Sequence, residues 1–124
     1  MSVKSVLVID DDAAVREHFK RCLRTAKIKV TLAFNAKYGI EELERSTFDC
    51  VFCDVRMPII SGEEVLDHVR EHYTTTPVVM MTEYGKPDAA VEIIKRGAFD
   101  YQTKPIAKET IIACEIFIPN KHGY

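Results

Sequence analysis

Four predicted strands, the first three of them apolar runs, end at residues that can bind a metal ion or a phosphate. Asp10 and Asp11 follow the first run, Asp54 ends the second, Thr82 follows the third and Lys104 follows the fourth. If the runs are parallel strands of one sheet, their carboxyl ends line a single ligand crevice. Carboxylates, a hydroxyl and an ammonium would then converge, which predicts a phosphoryl-transfer site with a metal ion.

Three carboxylates at neighbouring strand ends need a cation between them. Two unit charges about 4 Å apart repel by roughly 4 kcal/mol at an effective dielectric constant near 20. An open site of oxygen ligands suits Mg²⁺, or Mn²⁺ in its place, and leaves coordination positions for phosphate oxygens. The metal would neutralise charge on a phosphoryl group, while Lys104 and Thr82 would hold its other oxygens. An ionised Asp54 is then a competent nucleophile.

Strand and helix patterns alternate five times, which predicts a doubly wound α/β fold with one parallel sheet. The predicted strands are apolar runs more than alternating ones, as expected for a sheet covered on both faces. The predicted strands are Val3–Asp10, Ile28–Ala33, Asp49–Asp54, Val78–Met81 and Phe99–Thr103.

Residues that favour helix starts mark the beginnings of the predicted helices. Asp12 is interpreted as the cap of the first helix rather than as a metal ligand, and Asn35 as the cap of the second. The third helix follows Ser61-Gly62, while the fourth starts at Pro87 and closes at Gly97. The apolar face predicted for the first helix carries Val15, Phe19, Cys22, Leu23 and Ala26.

Composition excludes several classes of protein. A chain of 124 residues, 47% of them hydrophobic, predicts one domain over residues 1–124. The net charge of −2 provides no basic surface for nucleic acid or an anionic membrane. Neither a membrane span nor a signal peptide is present. The cysteines lie in apolar runs, which suits a reducing compartment and predicts a cytoplasmic protein. Cys50 and Cys53 should face opposite sides of a strand, so we predict that both pack in the core.

Five short motifs occur in order along nearly the whole chain. They are Val8-Ile9-Asp10-Asp11-Asp12, Asp54-Val55-Arg56-Met57-Pro58, Ser61-Gly62, Met81-Thr82 and Gly97-Ala98-Phe99-Asp100-Tyr101-Gln102-Thr103-Lys104-Pro105. Together they resemble the receiver domain of two-component response regulators, most closely the receivers of NtrC-type transcriptional activators. The resemblance implies a flavodoxin-like (βα)5 fold with the parallel strand order 2-1-3-4-5.

The resemblance also implies a function. Asp54 would accept a phosphoryl group from a phosphohistidine on a sensor histidine kinase or a phosphotransfer protein. Asp11 would bind Mg²⁺ directly and Asp10 mostly through water, with Asp54 and the backbone carbonyl of Arg56 completing the protein ligands. The chain would be a signalling module that catalyses its own phosphorylation and dephosphorylation, not an enzyme acting on another substrate.

A switch follows from the same resemblance. Thr82 would move toward the phosphoryl group, and Tyr101 would turn inward into the space that Thr82 leaves. The change would alter a surface that binds a downstream protein target. Lys104 would pair with the carboxylates and then with the phosphate, and the Lys104–Pro105 peptide bond would be cis.

Two residues depart from the family pattern. Glu83 follows the switch threonine, where a small residue is usual, and Ile106 stands where phenylalanine is usual. Glu83 and Arg56 flank the phosphorylation site. If their side chains meet over the pocket, they form a gate through a partly exposed ion pair of about 0–1 kcal/mol.

The C-terminal segment allows two outcomes. The resemblance implies a fifth helix after Pro105, but residues 111–118 are apolar nearly all the way round a helical wheel. Such a helix leaves a second apolar face outside. Either it forms a homodimer through the surface of the fourth helix, fifth strand and fifth helix, or the segment is partly extended. We favour the homodimer.

Two other functions are weighed against the phosphorylation switch. An aspartyl-phosphate hydrolase of the haloacid-dehalogenase type also places an Asp-x-Asp motif after its first strand. That family needs threonine or valine where Ala14 stands. A receiver-like scaffold that is never phosphorylated is the other alternative, and the complete set of acidic, hydroxyl and lysine residues argues against it.

Overall fold

The computed structural model describes residues 4–24 and 26–113, which form a five-stranded parallel sheet covered by helices on both faces. The strands are β1 (Lys4–Ile9), β2 (Ile28–Ala33), β3 (Cys50–Asp54), β4 (Val78–Thr82) and β5 (Asp100–Thr103). The helices are α1 (Ala13–Leu23), α2 (Ala36–Arg45), α3 (Gly62–His72) and α4 (Pro87–Lys95), and residues 108–113 are also helical. The strand order β2-β1-β3-β4-β5 confirms the predicted doubly wound fold.

The strand register brings the carboxyl ends of the central strands to one edge of the sheet. Ile9 at the end of β1 lies opposite Cys53, and Asp54 lies opposite Met81. At the other side of β4, Thr82 lies opposite Thr103. The residues that end or follow these strands are therefore neighbours, as the sequence predicted.

Three helices begin at side-chain caps, and the sequence predicted two of these caps, Asp12 and Asn35. The side chains of Asp12, Asn35 and Ser61 each accept a hydrogen bond from a backbone N–H in the first turn of the helix that follows. The extent of α1 was predicted wrongly, because the helix ends at Leu23 and Ala26 lies beyond it. The N–H of Ala26 bonds to the carbonyl of Leu23, three residues back, and this tighter turn ends the α-helix.

The sheet separates two apolar clusters. Phe52 and Cys50 face one cluster with α1, whereas Cys53 faces the other with α2, α3 and α4. The prediction that Cys50 and Cys53 point to opposite faces and pack in the core is confirmed, since both are buried. Among the residues described, no helix has the length and hydropathy needed to cross a membrane.

The predicted fifth helix is described in its first part only. Residues 108–113 are helical, and Ile111 is buried in the same cluster as Phe19 and Phe52. The remainder of the apolar segment, residues 114–118, lies outside the described residues.

The loop between β3 and α3 contains an unusual turn at Ile59. The N–H of Ile60 donates to the carbonyl of Pro58 at 2.8 Å, which closes a γ-turn around Ile59. Ile59 has a φ of 72° and is fully exposed. A γ-turn with positive φ is rare and strained, and a β-branched residue is poorly suited to it.

Replacing Ile59 with glycine should therefore stabilise the protein. The left-handed conformation costs an L-residue about 1–2 kcal/mol, and the greater unfolded-state entropy of glycine offsets about 0.5–1 kcal/mol of the relief. No buried surface is lost, because the side chain is exposed. We expect urea unfolding to show Ile59→Gly more stable by about 0.5–1 kcal/mol. Ile59→Val keeps the strain and should match the wild type; a destabilised Ile59→Gly would contradict the interpretation.

Candidate functional site

Lys104 joins two buried carboxylates at the carboxyl edge of the sheet. Its Nζ atom lies 2.7 Å from Oδ2 of Asp10 and 3.1 Å from Oδ1 of Asp54. Its backbone N–H donates to the carbonyl of Thr82 at 2.7 Å, which fixes the end of β5 beside the end of β4. The sequence predicted that these four residues would converge, and the structure brings them together.

The electrostatic environment perturbs all three charged groups. Burial and, to a smaller extent, the charge of Asp10 raise the pKa of Asp54 to about 6, although Lys104 opposes both effects. Burial likewise raises the pKa of Asp10, against the hydrogen bond from Lys104. Burial by itself would lower the pKa of Lys104, but the carboxylates of Asp10 and Asp54 raise it overall. Without a further cation, Asp54 is therefore an unusually basic carboxylate.

Asp54 is held by the start of α3. The N–H of Gly62 donates to the carbonyl of Val55 at 2.9 Å, so this helix begins directly against the backbone that follows Asp54. A Cβ atom at position 62 would lie 1.9 Å from the carbonyl oxygen of Asp54. Only glycine permits this approach. The Ser61-Gly62 motif therefore has a structural role at the site that the sequence did not reveal.

Three carboxylates form a set of oxygen ligands. One oxygen from each of Asp10, Asp11 and Asp54 lies within 4.8 Å of the other two. Three negative charges against the single positive charge of Lys104 leave two uncompensated when all are ionised. A small divalent cation matches both this charge and the hard oxygen donors, so the residues fit Mg²⁺.

The turn after β1 is tightly bonded around Asp10. The backbone N–H of Asp12 donates to Oδ1 of Asp10 at 2.9 Å, and Asp12 in turn caps α1. Nη1 of Arg16, one helical turn later, donates to the backbone carbonyl of Asp10 at 2.8 Å. The sequence interpretation of Asp12 is confirmed, whereas Arg16 was not identified. Its spacing of four residues from the Asp12 cap is the one signal that points to it.

Thr82 is buried and already engaged. Its Oγ1 accepts from the N–H of Tyr84 at 3.2 Å and lies 3.4 Å from the Tyr84 carbonyl, to which it donates. The hydroxyl therefore holds the start of the β4–α4 loop. A ligand that accepts a hydrogen bond from this hydroxyl must displace the carbonyl of Tyr84.

A cavity of about 330 Å³ opens above Asp54. It is lined by Asp11, Asp12, Asp54, Arg56, Thr82, Glu83, Tyr84 and Lys104. Arg56 and Glu83 thus border the same space, as expected for a gate, but no ion pair joins them among the described residues. Both are exposed, where water competes with an ion pair.

The remaining predicted residues occupy the side of the site next to β5. Tyr101 is half-buried and packs against the cluster that contains Val78 and Met80. The Lys104–Pro105 peptide bond is cis, as the sequence resemblance implied. No contact tests the role of the Arg56 carbonyl as a metal ligand, which stays a prediction.

Comparison with known proteins identifies relatives over most of the chain. Residues 6–114 match the family described as the response regulator receiver domain. The response regulator protein PilR of Pseudomonas aeruginosa is 37% identical over 106 residues, which cover 86% of this chain and 24% of PilR. The DNA-binding transcriptional regulator NtrC of Escherichia coli is 34% identical over 108 residues, which cover 87% of this chain and 23% of NtrC. The chain thus spans about a quarter of the length of both proteins.

A solved structure gives the same result for the fold. The receiver domain protein from Clostridium thermocellum superposes with a TM-score of 0.88 at 25% sequence identity and covers 97% of both chains. The predicted similarity to receivers of the NtrC type is confirmed by the sequence relatives.

The raised pKa of Asp54 predicts a pH-dependent effect of Asp54→Asn on stability. The folded state binds the Asp54 proton more tightly than the unfolded state, so an ionised Asp54 opposes folding above pH 6. Measured by urea unfolding without metal, Asp54→Asn should gain about 1–2 kcal/mol at pH 7.5 and little below pH 4.

Asp67→Asn provides a control of opposite sign. Arg96 lowers the pKa of Asp67 through a bidentate hydrogen bond, so that ionised carboxylate favours folding. Its contribution is present above the unfolded-state pKa and is lost as the pH falls through the folded-state pKa. Asp67→Asn should therefore lose stability at neutral pH. An Asp54→Asn variant with no gain at pH 7.5 would contradict the raised pKa.

Proposed function

The chain belongs to the response regulator receiver family, and we propose that it is a phosphorylation switch whose acceptor is Asp54. The observation that carries this proposal is the placement of Lys104 between Asp10 and Asp54, with Asp11 completing a divalent-cation site. The proposed donor is a phosphohistidine on a sensor histidine kinase or a phosphotransfer protein, and the proposed place is the cytoplasm.

The geometry supports a simple transfer reaction. Lys104 pairs with Oδ1 of Asp54, which leaves Oδ2 as the nucleophile toward the cavity. Oδ2 attacks phosphorus, the N–P bond to the donor imidazole breaks, and the imidazole keeps the electron pair and takes a proton from solvent. Lys104 holds an oxygen of the transferred group, while Asp10, Asp11 and Asp54 would hold Mg²⁺. Bound there, Mg²⁺ supplies neutralisation of the charge on the phosphoryl oxygens.

Switching would begin at Thr82. To donate to a phosphoryl oxygen, its hydroxyl must give up its bond to the carbonyl of Tyr84. If Oγ1 also moves toward the phosphoryl group, the N–H of Tyr84 loses its acceptor. The β4–α4 loop would rearrange, and Tyr101 would turn into the space beside Thr82. Both changes would alter the surface of α4 and β5 that a downstream protein target contacts.

The alternatives are separated by membership and by experiment. Because the chain belongs to the receiver family, its aspartates are explained without a hydrolase of the haloacid-dehalogenase type. The other alternative is a receiver that is never phosphorylated. Phosphorylation by a small donor distinguishes this scaffold from the proposed switch, and its absence would refute the proposal.

The direct test is incubation with acetyl phosphate and Mg²⁺, followed by intact mass measurement. We expect a gain of one phosphoryl group in the wild type and loss of the main product in Asp54→Asn. Asp11→Asn should weaken metal binding strongly, because a hard cation loses a charged ligand. Undiminished labelling of Asp54→Asn would refute the assignment of the acceptor.

The proposed gate concerns Glu83. Its carboxylate borders the cavity that the phosphodonor must enter, and it brings a further negative charge to a site that receives a phosphoryl group. Glu83→Ala should therefore speed labelling by acetyl phosphate and alter the lifetime of the phosphorylated form. Glu83→Gln keeps the size and removes the charge, so it separates repulsion from steric obstruction. Equal rates for all three proteins would remove the gating role.

The last proposal is a homodimer that forms through the surface of α4, β5 and the helix after β5. Val91 and Ile94 on α4 are about half exposed, which supports an apolar contact on the side of α4 and β5. Light scattering over a concentration series should show a dimer whose affinity changes after incubation with phosphodonor. Ile94→Glu should weaken it. A monomer at every concentration in both states would reject the dimer.

A further inference from the structure

Arg16 reaches back from the first turn of α1 to the end of β1. Its Nη1 atom donates to the backbone carbonyl of Asp10 at 2.8 Å, and the side chain is half-buried. That carbonyl belongs to the peptide that links Asp10 to Asp11. Because the peptide is planar, the hydrogen bond fixes the plane that carries the N and Cα atoms of Asp11, from which its side chain starts.

Asp10 and Asp11 are held in different ways. The carboxylate of Asp10 is fixed by Lys104 and by the N–H of Asp12. The carboxylate of Asp11 is exposed, and no hydrogen bond or ion pair with another residue in 4–24 or 26–113 holds it. Its orientation toward the other two carboxylates therefore comes from its backbone, and Arg16 is the side chain from α1 that fixes that backbone.

We propose that Arg16 is a positioning residue for the divalent cation. By holding the peptide between Asp10 and Asp11, it preorganises the Asp11 carboxylate as a ligand. The inference rests on the proposed function, because it assumes that the three carboxylates bind the ion. Partners that orient metal ligands commonly affect affinity by about 10–100-fold when they are removed.

The positive charge of Arg16 lowers the affinity for Mg²⁺, whereas its positioning role raises it. A guanidinium bound to the backbone carbonyl of Asp10 repels a cation at the neighbouring carboxylates, so removing its charge alone should tighten Mg²⁺ binding. Loss of positioning should weaken Mg²⁺ binding instead. The two roles therefore predict changes of opposite sign in the same measurement.

The test is the dissociation constant of Mg²⁺ for the full chain, measured by calorimetry at neutral pH. Arg16→Met should bind Mg²⁺ about tenfold more weakly than the wild type. The control is Arg21→Met, which makes the same change of charge on the exposed side of α1 and should bind like the wild type. Arg16→Lys keeps a charge and a donor and should lie between the wild type and Arg16→Met. Binding by Arg16→Met as tight as by Arg21→Met, or tighter, would overturn the proposal.

A second readout separates positioning from a general loss of structure. At saturating Mg²⁺, acetyl phosphate should label Arg16→Met within about twofold of the wild-type rate, because the missing preorganisation is recovered by mass action. A labelling rate that stays low at saturation would overturn the proposal. If Arg16→Met does not fold, the test uses Arg16→Lys instead. Weaker Mg²⁺ binding by Arg16→Lys at an unchanged unfolding temperature supports the positioning role, and unchanged binding overturns it. A wild type that does not bind Mg²⁺ refutes the proposed function itself, which is a distinguishable result.

Discussion

The placement of Lys104 between two buried carboxylates is the interaction on which the site depends. Asp10 and Asp54 are both buried, and two carboxylates in such surroundings cannot both ionise cheaply without a cation. Lys104 supplies one positive charge, and Asp11 adds a further negative charge at the open side. The site therefore keeps a deficit of positive charge, which a divalent cation would fit. Burial and, to a smaller extent, the charge of Asp10 raise the pKa of Asp54.

The fold places this deficit of positive charge at the carboxyl edge of the sheet. Parallel strands in the order β2-β1-β3-β4-β5 put the ends of β1, β3 and β4 side by side, and the cis Lys104–Pro105 bond follows the end of β5. The close approach of Gly62 leaves no freedom at the Asp54 backbone. Such a site costs stability and is retained where function needs perturbed groups. The β4–α4 loop, held by Thr82, is the part that a phosphoryl group would release.

The sequence predicted the features that follow from regular geometry. The caps at Asp12 and Asn35 and the convergence at Lys104 depend on periodicity and on parallel topology, which local patterns report. The strand order was implied by the family resemblance instead. The bond from Arg16 to a backbone carbonyl was missed, because it depends on the shape of one turn. The γ-turn at Ile59 was missed too, because isoleucine is a residue that the turn disfavours. Ala26 was assigned to α1 because its apolar spacing continues past the residue where the hydrogen bonding changes.

The charge balance at Asp54 can be measured directly. A ¹³C NMR titration of the aspartate side-chain carboxyl carbons, with and without Mg²⁺, follows the protonation of each group. The account predicts that Asp54 titrates with a pKa of about 6 in the metal-free protein and that Mg²⁺ lowers this pKa, since the cation favours the ionised form. An ordinary aspartate pKa in the metal-free protein, or a pKa that Mg²⁺ leaves unchanged, would contradict it.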